Sequence, residues 1–361
     1  MFSRKQGRIT MSCEKCTTTK TLPEDCKRIV IFASHEYILG KFFTIFKSRF
    51  EILNENDYLV LNYKFNEFIE IVSSSKDFTE IELENITVLL IDPTSSLTFA
   101  AYKNAKPLTY WINLYLSEDL KWILDNESII TYFQPIIDIR SNQIVGYECL
   151  SRGIKMDGSI MPPNLMFHSA RKTEMIFNLD RQCRISAIKN SKAKEINKMI
   201  FINFTPTSIY NPEFCLRDTV KTATELNFDF SKIVFEVVES DKVENFVHLK
   251  NILDFYNNMG FKVALDDVGS GYSSLNLLAS LKPNIVKIDI ELVRDIDKDI
   301  AKKAIVSSLV GICKEIGSLS LAEGIETHGE MEMLKNLGVD LMQGYLFGKP
   351  SPEPLDKIIF C

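Results

Sequence analysis

The sequence predicts an α/β protein: a modified TIM-type (β/α)8 barrel preceded by a small α/β N-terminal domain. Three observations carry this. Eight apolar, strand-like runs follow one another between residues 130 and 347. Amphipathic helical stretches lie between most of them. Each run after the first brings a charged or amide side chain to its C-terminal end. Eight strands alternating with helices over ~230 residues make the pattern of a closed barrel.

The runs are 130–139, 144–150, 199–204, 233–238, 262–265, 285–288, 319–322 and 340–347. Helical periodicity marks 171–189, 246–259, 300–316 and 330–337. Only Arg140-Ser141-Asn142-Gln143 separates the first two runs. So short a link holds no crossover helix, so that pair is predicted to be an antiparallel hairpin. Before the barrel, 28–33 and 86–91 read as strands, and 37–49 and 65–74 as helices. A helix over 116–126 leads into the barrel. The expected domains are a cysteine-containing tail (1–27), a small sensory or interaction domain (28–115) and the barrel (116–361).

The chain has 361 residues, 45% of them hydrophobic, and a formal net charge of −6. That balance offers no general basic field for long nucleic acid. No apolar run reaches the ~18 residues of a membrane span. The N-terminus has no apolar core of a signal peptide, and Met11 is a second candidate start. A cytoplasmic protein is the expectation. Eight scattered cysteines fit reduced thiols better than a disulfide framework. Cys13 and Cys16 form a CxxC, with Cys26 and His35 further on. That set suits a Zn²⁺ site, a redox pair or a tail with two exposed thiols.

The strand ends carry the chemistry. Glu148 closes the second run, with Arg152 on the same face. Asn203 closes the third, Glu236 and then Glu239 the fourth, the pair Asp266 and Asp267 the fifth, Lys287 the sixth, Glu323 the seventh and Gln343 the eighth. In a barrel strand, residues i and i+2 face inward, and functional groups gather at the C-terminal ends. Any one such acid is ordinarily a helix cap or a surface charge. Together, inward carboxylates on neighbouring strands repel one another unless something compensates. Hard divalent cations prefer carboxylate oxygens. Two of them sharing an Asp bridge would also position a water for in-line attack on phosphorus.

These residues resemble the EAL-domain cyclic-di-GMP phosphodiesterases. The resemblance covers residues 116–354. It rests on Gln134-Pro135, on Glu148-Cys149-Leu150 followed by Arg152, on Asn203, and on Glu236 with Glu239. It continues through Asp266-Asp267 with Gly269-Ser270-Gly271-Tyr272-Ser273-Ser274-Leu275, Lys287-Ile288-Asp289, Glu323-Gly324-Ile325-Glu326 and Gln343-Gly344-Tyr345-Leu346-Phe347. It implies a barrel whose first strand is reversed, dimerisation, and hydrolysis of cyclic-di-GMP to linear pGpG with Mg²⁺ or Mn²⁺.

By that resemblance, Glu148, Asn203, Glu236, Asp266 and Asp267 hold two ions, and Lys287 and Glu323 orient and activate the attacking water. Leu150 and Arg152 contact substrate. Gln343 completes the ligand shell or holds a water in it, Gln134 supports the site, and Glu239 ties down the loop 268–275. Cys149, Val238 and Val268 depart from the family's Ala, Thr and Phe. Cys149 reads as a small buried residue or as an oxidisable thiol behind Glu148. A silent cyclic-di-GMP receptor, a protein-interaction module that binds no nucleotide and a hydrolase of another diester are the alternative readings. Retention of the metal, lysine and water-handling positions favours the enzyme.

Overall fold

The computed structural model describes residues 17–23, 26–46, 52–55, 58–95, 97–238, 246–269 and 274–358. The chain packs as two compact units. One comprises Thr18–Asn126 with Asn164–Ile176. The other holds Glu127–Pro163 and Phe177–Cys361.

The first unit is built on β1 (Cys26–Ala33), β2 (Ile52–Glu55), β3 (Tyr58–Lys64), β4 (Ile86–Ile91) and β5 (Lys106–Pro107). They form one antiparallel sheet in the order β2-β3-β1-β4-β5. Helix Glu36–Phe46 links β1 to the β2–β3 hairpin, and helix Phe65–Ser74 leads from β3 towards β4, a split β-α-β arrangement. Strand alternation sends Ile29, Ile31, Leu59, Leu61, Ile86 and Val88 into one buried cluster with Phe42, Phe46, Phe65, Phe68 and Phe78. The expected strands and helices of this region are present, with residues 47–49 of the first expected helix outside the described residues. The β2–β3 hairpin, β5 and helices Glu80–Glu84, Phe99–Tyr102 and Leu108–Tyr115 are additions.

The second unit contains β6 (Ile129–Asp138), β7 (Gln143–Ile154), β8 (Ile160–Met161), β9 (Met199–Asn203), β10 (Ile233–Val238), β11 (Lys262–Val268), β12 (Ile285–Ile288), β13 (Leu319–Ala322) and β14 (Leu341–Gln343). Eight of these close a ring, and β8 is a short addition to β7. β6 pairs antiparallel with both β7 and β14, while the other neighbours in the ring are parallel. The first barrel strand is therefore reversed, as the short hairpin and the family resemblance led us to expect.

Two expected elements are corrected. The helical pattern over 171–189 is two helices, Pro163–Lys172 and Ile176–Ala193. Glu174 takes a left-handed φ of 59°, and the Met175 N–H donates to Ala170 O at 3.0 Å. This is a Schellman-type closure with a glutamate where glycine is usual. The eighth strand stops at Gln343 rather than at 347, because a turn follows in which Phe347 and Gly348 both donate to Gly344 O.

The inside of the barrel explains where the polar residues end up. Ile136, Phe201, Val234, Ala264, Ile285, Leu321 and Leu341 form one apolar floor. Gly146 completes it by leaving space, since a Cβ there would lie 3.1 Å from the Phe201 ring and 2.9 Å from Met199 O. Two residues further along the parallel strands come Glu148, Asn203, Glu236, Asp266, Lys287, Glu323 and Gln343. Two residues back along reversed β6 comes Gln134. The opposite strand faces, including Phe133, Cys149, Ile202, Phe235, Leu265, Val286, Ile288 and Met342, belong to the core under the helices.

A buried ion pair fixes the exit of β9. Asp180 on helix Ile176–Ala193 accepts from the Thr205 N–H and the Ser208 hydroxyl, both at 2.8 Å, and pairs with Arg184 one turn on. Arg184 Nε donates to Thr219 Oγ1 at 3.2 Å. Removing one partner of such a pair strands the other charge. Asp180→Ala is expected to cost about 3–5 kcal/mol in urea unfolding, with Asp180→Asn losing less because the amide oxygen still accepts a hydrogen bond.

Candidate active site

The mouth of the barrel centres on Lys287. Its Nζ lies 2.7 Å from Glu323 Oε1, 2.8 Å from Glu236 Oε1 and 3.0 Å from Asp266 Oδ1. The side chains of Lys287 and Glu236 are only 1% and 0% exposed, so water screens this cluster little. Burial acts against the Lys287 ammonium, but Asp266, Glu236 and Glu323 outweigh it and hold its pKa well above the ordinary value. Glu236 moves upward too. Burial raises it well above the usual carboxyl range against the pull of Lys287, and Glu148, Asp266 and Glu323 add to the rise. Burial likewise pushes Glu323 up to about 8.

The opposite side of the ring is held by amides. Asn203 Nδ2 donates to Glu148 Oε1 at 3.0 Å, and Gln343 Nε2 donates to Glu148 Oε2 at 2.6 Å and to Gln134 Oε1 at 3.1 Å. Gln134 Nε2 donates in turn to Gly348 O at 3.4 Å. Three of the predicted site amides thus share one carboxylate network.

Among the described residues of the ring, Oε2 of Glu236 and Oε1 of Gln343 are buried without a hydrogen bond, while Glu236 Oε1 faces the Lys287 ammonium. Asp266, Asp267 and Glu323 each place a carboxylate oxygen within 4.8 Å of the other two. An all-oxygen donor set containing orphaned buried oxygens fits a hard divalent cation.

Strand alternation should send Asp266 and Asp267 to opposite faces. They share the site because the β11–β12 register shifts between Leu265 and Val268 and because Asp267 has a left-handed φ of 56°. The Asp267 N–H also caps Asp266 Oδ1 at 2.9 Å. Burial, with the Asp266 and Asp289 carboxylates beside it, pushes the Asp267 pKa up to about 6. Gly269 follows at φ 112°, where a Cβ would stand 2.3 Å from Leu292 Cδ1. A residue in this conformation is rare outside glycine, and its neighbour Asp267 is strained for a functional geometry.

The remaining predicted residues divide as follows. Arg152 lies at the start of the mouth on β7, with its guanidinium 5.2 Å from the Tyr132 ring centroid and Nη1 donating to Ser151 O at 2.8 Å. Tyr132 is a contact the sequence reading missed. The signal was register, since Tyr132 pairs with Leu150 and Ile130 with Arg152 across the hairpin. Leu150 is half-buried on the face of Glu148. Cys149 faces the helices, 3.7 Å from Ser191 Oγ, and burial pushes its thiol pKa far up, which disfavours the thiolate that oxidation needs. Glu239, Cys13 and Cys16 lie outside the described residues, as does most of the glycine-rich stretch after Asp267. Among the described residues, no helix is long and apolar enough to cross a membrane.

The model of the EAL domain matches residues 117–350. The chain belongs to the EAL-domain family. It is 29% identical over 247 residues to the cyclic di-GMP phosphodiesterase PdeR of Escherichia coli, covering 66% of this chain and 36% of that protein. The chain spans about a third of the length of that relative, and between 26% and 46% of other curated relatives. Among solved structures, a standalone EAL protein from Vibrio cholerae bound to c-di-GMP is 37% identical, with a TM-score of 0.58, covering 64% of this chain and 95% of that one. The manganese and cy-diGMP complex of BlrP1 from Klebsiella pneumoniae covers 90% of this chain and 96% of that one at a TM-score of 0.57. At 20% identity it is a likeness of fold. The matched range contains Glu148-Cys149-Leu150 and every residue of the ring built above.

Proposed function

We propose that the protein hydrolyses cyclic-di-GMP to linear pGpG with two Mg²⁺ or Mn²⁺ ions, as a cytoplasmic homodimer. The observation that carries this reading is the complete polar ring. Glu148, Asn203, Glu236, Asp266, Lys287, Glu323 and Gln343 stand on one layer above one apolar floor, with Asp267 beside Asp266, in a chain of the EAL family. Glu148, Asn203, Glu236, Asp266 and Asp267 would hold the ions. When bound, the ions supply positive charge at the phosphoryl oxygens and acidify water at neutral pH.

This chain's own residues do the rest. Lys287 donates a hydrogen bond to the attacking water and fixes its direction. Glu323, beside Lys287, would in its ionised form accept the proton that the water releases. Arg152 presents a planar guanidinium fork to a phosphate, and the Tyr132 ring face keeps that fork in place. Gln343 and Gln134 hold Glu148 in orientation through the amide network. Leu150 gives the substrate an apolar contact beside Arg152. Glu239, one residue beyond β10, would tie the loop after Asp267 to the site. The N-terminal region would sense a signal or a partner, and a Zn²⁺ site at Cys13 and Cys16 would belong to that role.

Glu148→Ala tests the reading. It leaves Asn203 and Gln343 without their shared acceptor and removes a proposed ligand. Turnover of cyclic-di-GMP is expected to fall by about 10³-fold or more, and EDTA is expected to silence the wild type. Undiminished turnover in Glu148→Ala would contradict the assignment of the site.

A further inference from the structure

Glu330 occupies the third position of helix His328–Leu337, where it forms a capping box with Thr327. A capping box ordinarily has its glutamate accept one N–H, that of the cap residue. Here the carboxylate accepts three. Oε2 accepts from the N–H groups of Glu326 at 2.9 Å and Thr327 at 3.0 Å, while Oε1 accepts from the Asp295 N–H at 3.0 Å. Arg294 Nη1 lies 3.7 Å from Oε1, and Arg294 Nη2 donates to Glu326 Oε1 at 2.7 Å. Glu330 is 1% exposed.

The three donors come from two loops. Asp295 belongs to the loop after β12, the strand of Lys287. Glu326 and Thr327 belong to the loop after β13, which begins at Glu323. Asp295 has a left-handed φ of 55°, so its N–H is presented to Glu330 by an unfavourable backbone state that needs external support. The two loops also touch nearer the site. A Cβ on Gly324 would lie 2.3 Å from Ile290 Cδ1, so Ile290 seats directly on the residue after Glu323. One buried carboxylate therefore sets the lateral registration of two loops whose strands carry Lys287 and Glu323, 2.7 Å apart.

We propose that Glu330 is a positioning residue, whose carboxylate locks these two loops together and so holds Glu323 against Lys287 at the mouth of the barrel. The kinetic arm of this proposal rests on the functional reading above. A second arm does not: Glu323 lies with Asp266 and Asp267 in a cluster of carboxylate oxygens close enough together to hold a cation, so a slack loop should also weaken binding of Mn²⁺ alone.

The experiment uses the full chain with Glu330→Gln, Glu330→Ala and Thr327→Ala. Glu330→Gln is nearly isosteric and keeps only one accepting oxygen. Thr327→Ala removes the cap bond of the same helix, Thr327 Oγ1 accepting from the Glu330 N–H at 3.2 Å, but leaves the loop-to-loop tie intact. Both Glu330 variants are expected to lower kcat by about 10-fold or more with KM little changed, and to weaken Mn²⁺ affinity, read by electron paramagnetic resonance, by about 10-fold. Thr327→Ala is expected to lower Tm while kcat and Mn²⁺ affinity stay near wild type. If Glu330→Gln matches wild type in Mn²⁺ affinity, or Thr327→Ala loses as much as Glu330→Gln, the proposal is overturned. An inactive wild type would instead sink the phosphodiesterase reading, and the Mn²⁺ arm would still decide the role of Glu330.

Discussion

Lys287→Met is expected to abolish turnover and to lower stability by about 3–5 kcal/mol at neutral pH. The ammonium is the charge that Glu236, Asp266 and Glu323 all face within 3.0 Å. Methionine keeps the length of the side chain and removes the charge, so the loss reads electrostatics rather than packing. The remaining carboxyl groups must then repel one another or bind protons.

The pH dependence has a definite sign. A carboxyl whose pKa is raised by folding opposes folding when it is ionised. Burial already raises Glu236 and Glu323 with Lys287 in place, Glu323 to about 8. Without the ammonium both rise further. The stability deficit of the variant should therefore be largest above about pH 8 and fade as pH falls towards the unfolded carboxyl pKa, about 4.3. Added Mn²⁺ should recover part of it, because binding to the folded state alone stabilises that state. Urea unfolding at several pH values, with and without Mn²⁺, reads all three effects. A variant as stable as wild type at pH 8 would mean that the ring carries no uncompensated charge.

The second large effect is expected at Gly344. A Cβ there would meet the Ile325 backbone, 2.1 Å from O, 2.3 Å from N and 2.6 Å from C. Backbone atoms cannot rotate away as a side chain can. The close approach is used, because the Ile325 N–H donates to Gln343 O and the Leu346 N–H donates to Ile325 O, each at 3.1 Å. Gly344→Ala must pry the loop after Glu323 away from the end of β14. We expect a loss of about 3 kcal/mol, the upper range for overpacking, and a fall in kcat as Glu323 and Gln343 separate. Wild-type stability in a thermal melt would show that the loop moves freely and that the contact does not fix the site.

The barrel was legible because its signals are local. Strand periodicity, the four-residue link between 139 and 144 and the polar strand ends each follow from chemistry within a few residues. The inward layer was legible for the same reason, since alternation along a strand fixes which residues share a face. Asp267 was legible as a residue but not in its geometry. Its place beside Asp266 depends on a register shift and a left-handed backbone that only the neighbouring strand imposes.

The break between Lys172 and Ile176 was hidden for a related reason. Thr173 and Glu174 carry no stop signal, and a glutamate does the work of a C-terminal glycine. In the first unit, β2 and β3 went unread although Asn54-Glu55-Asn56-Asp57 has the composition of a turn. The Asp180–Arg184 pair was within reach. Two opposite charges four residues apart on the apolar face of a helix point to a buried partner. Glu330 was not, because its third hydrogen bond crosses to a loop 35 residues away in sequence.

The most direct test of the account is incubation of the full chain with cyclic-di-GMP and Mn²⁺, followed by separation and mass identification of the products, with Glu148→Ala run in parallel. Accumulation of linear pGpG from the wild type and none from the variant is the predicted result. A wild type that neither binds nor cleaves cyclic-di-GMP would contradict the account, leaving the EAL barrel without the chemistry assigned to its ring.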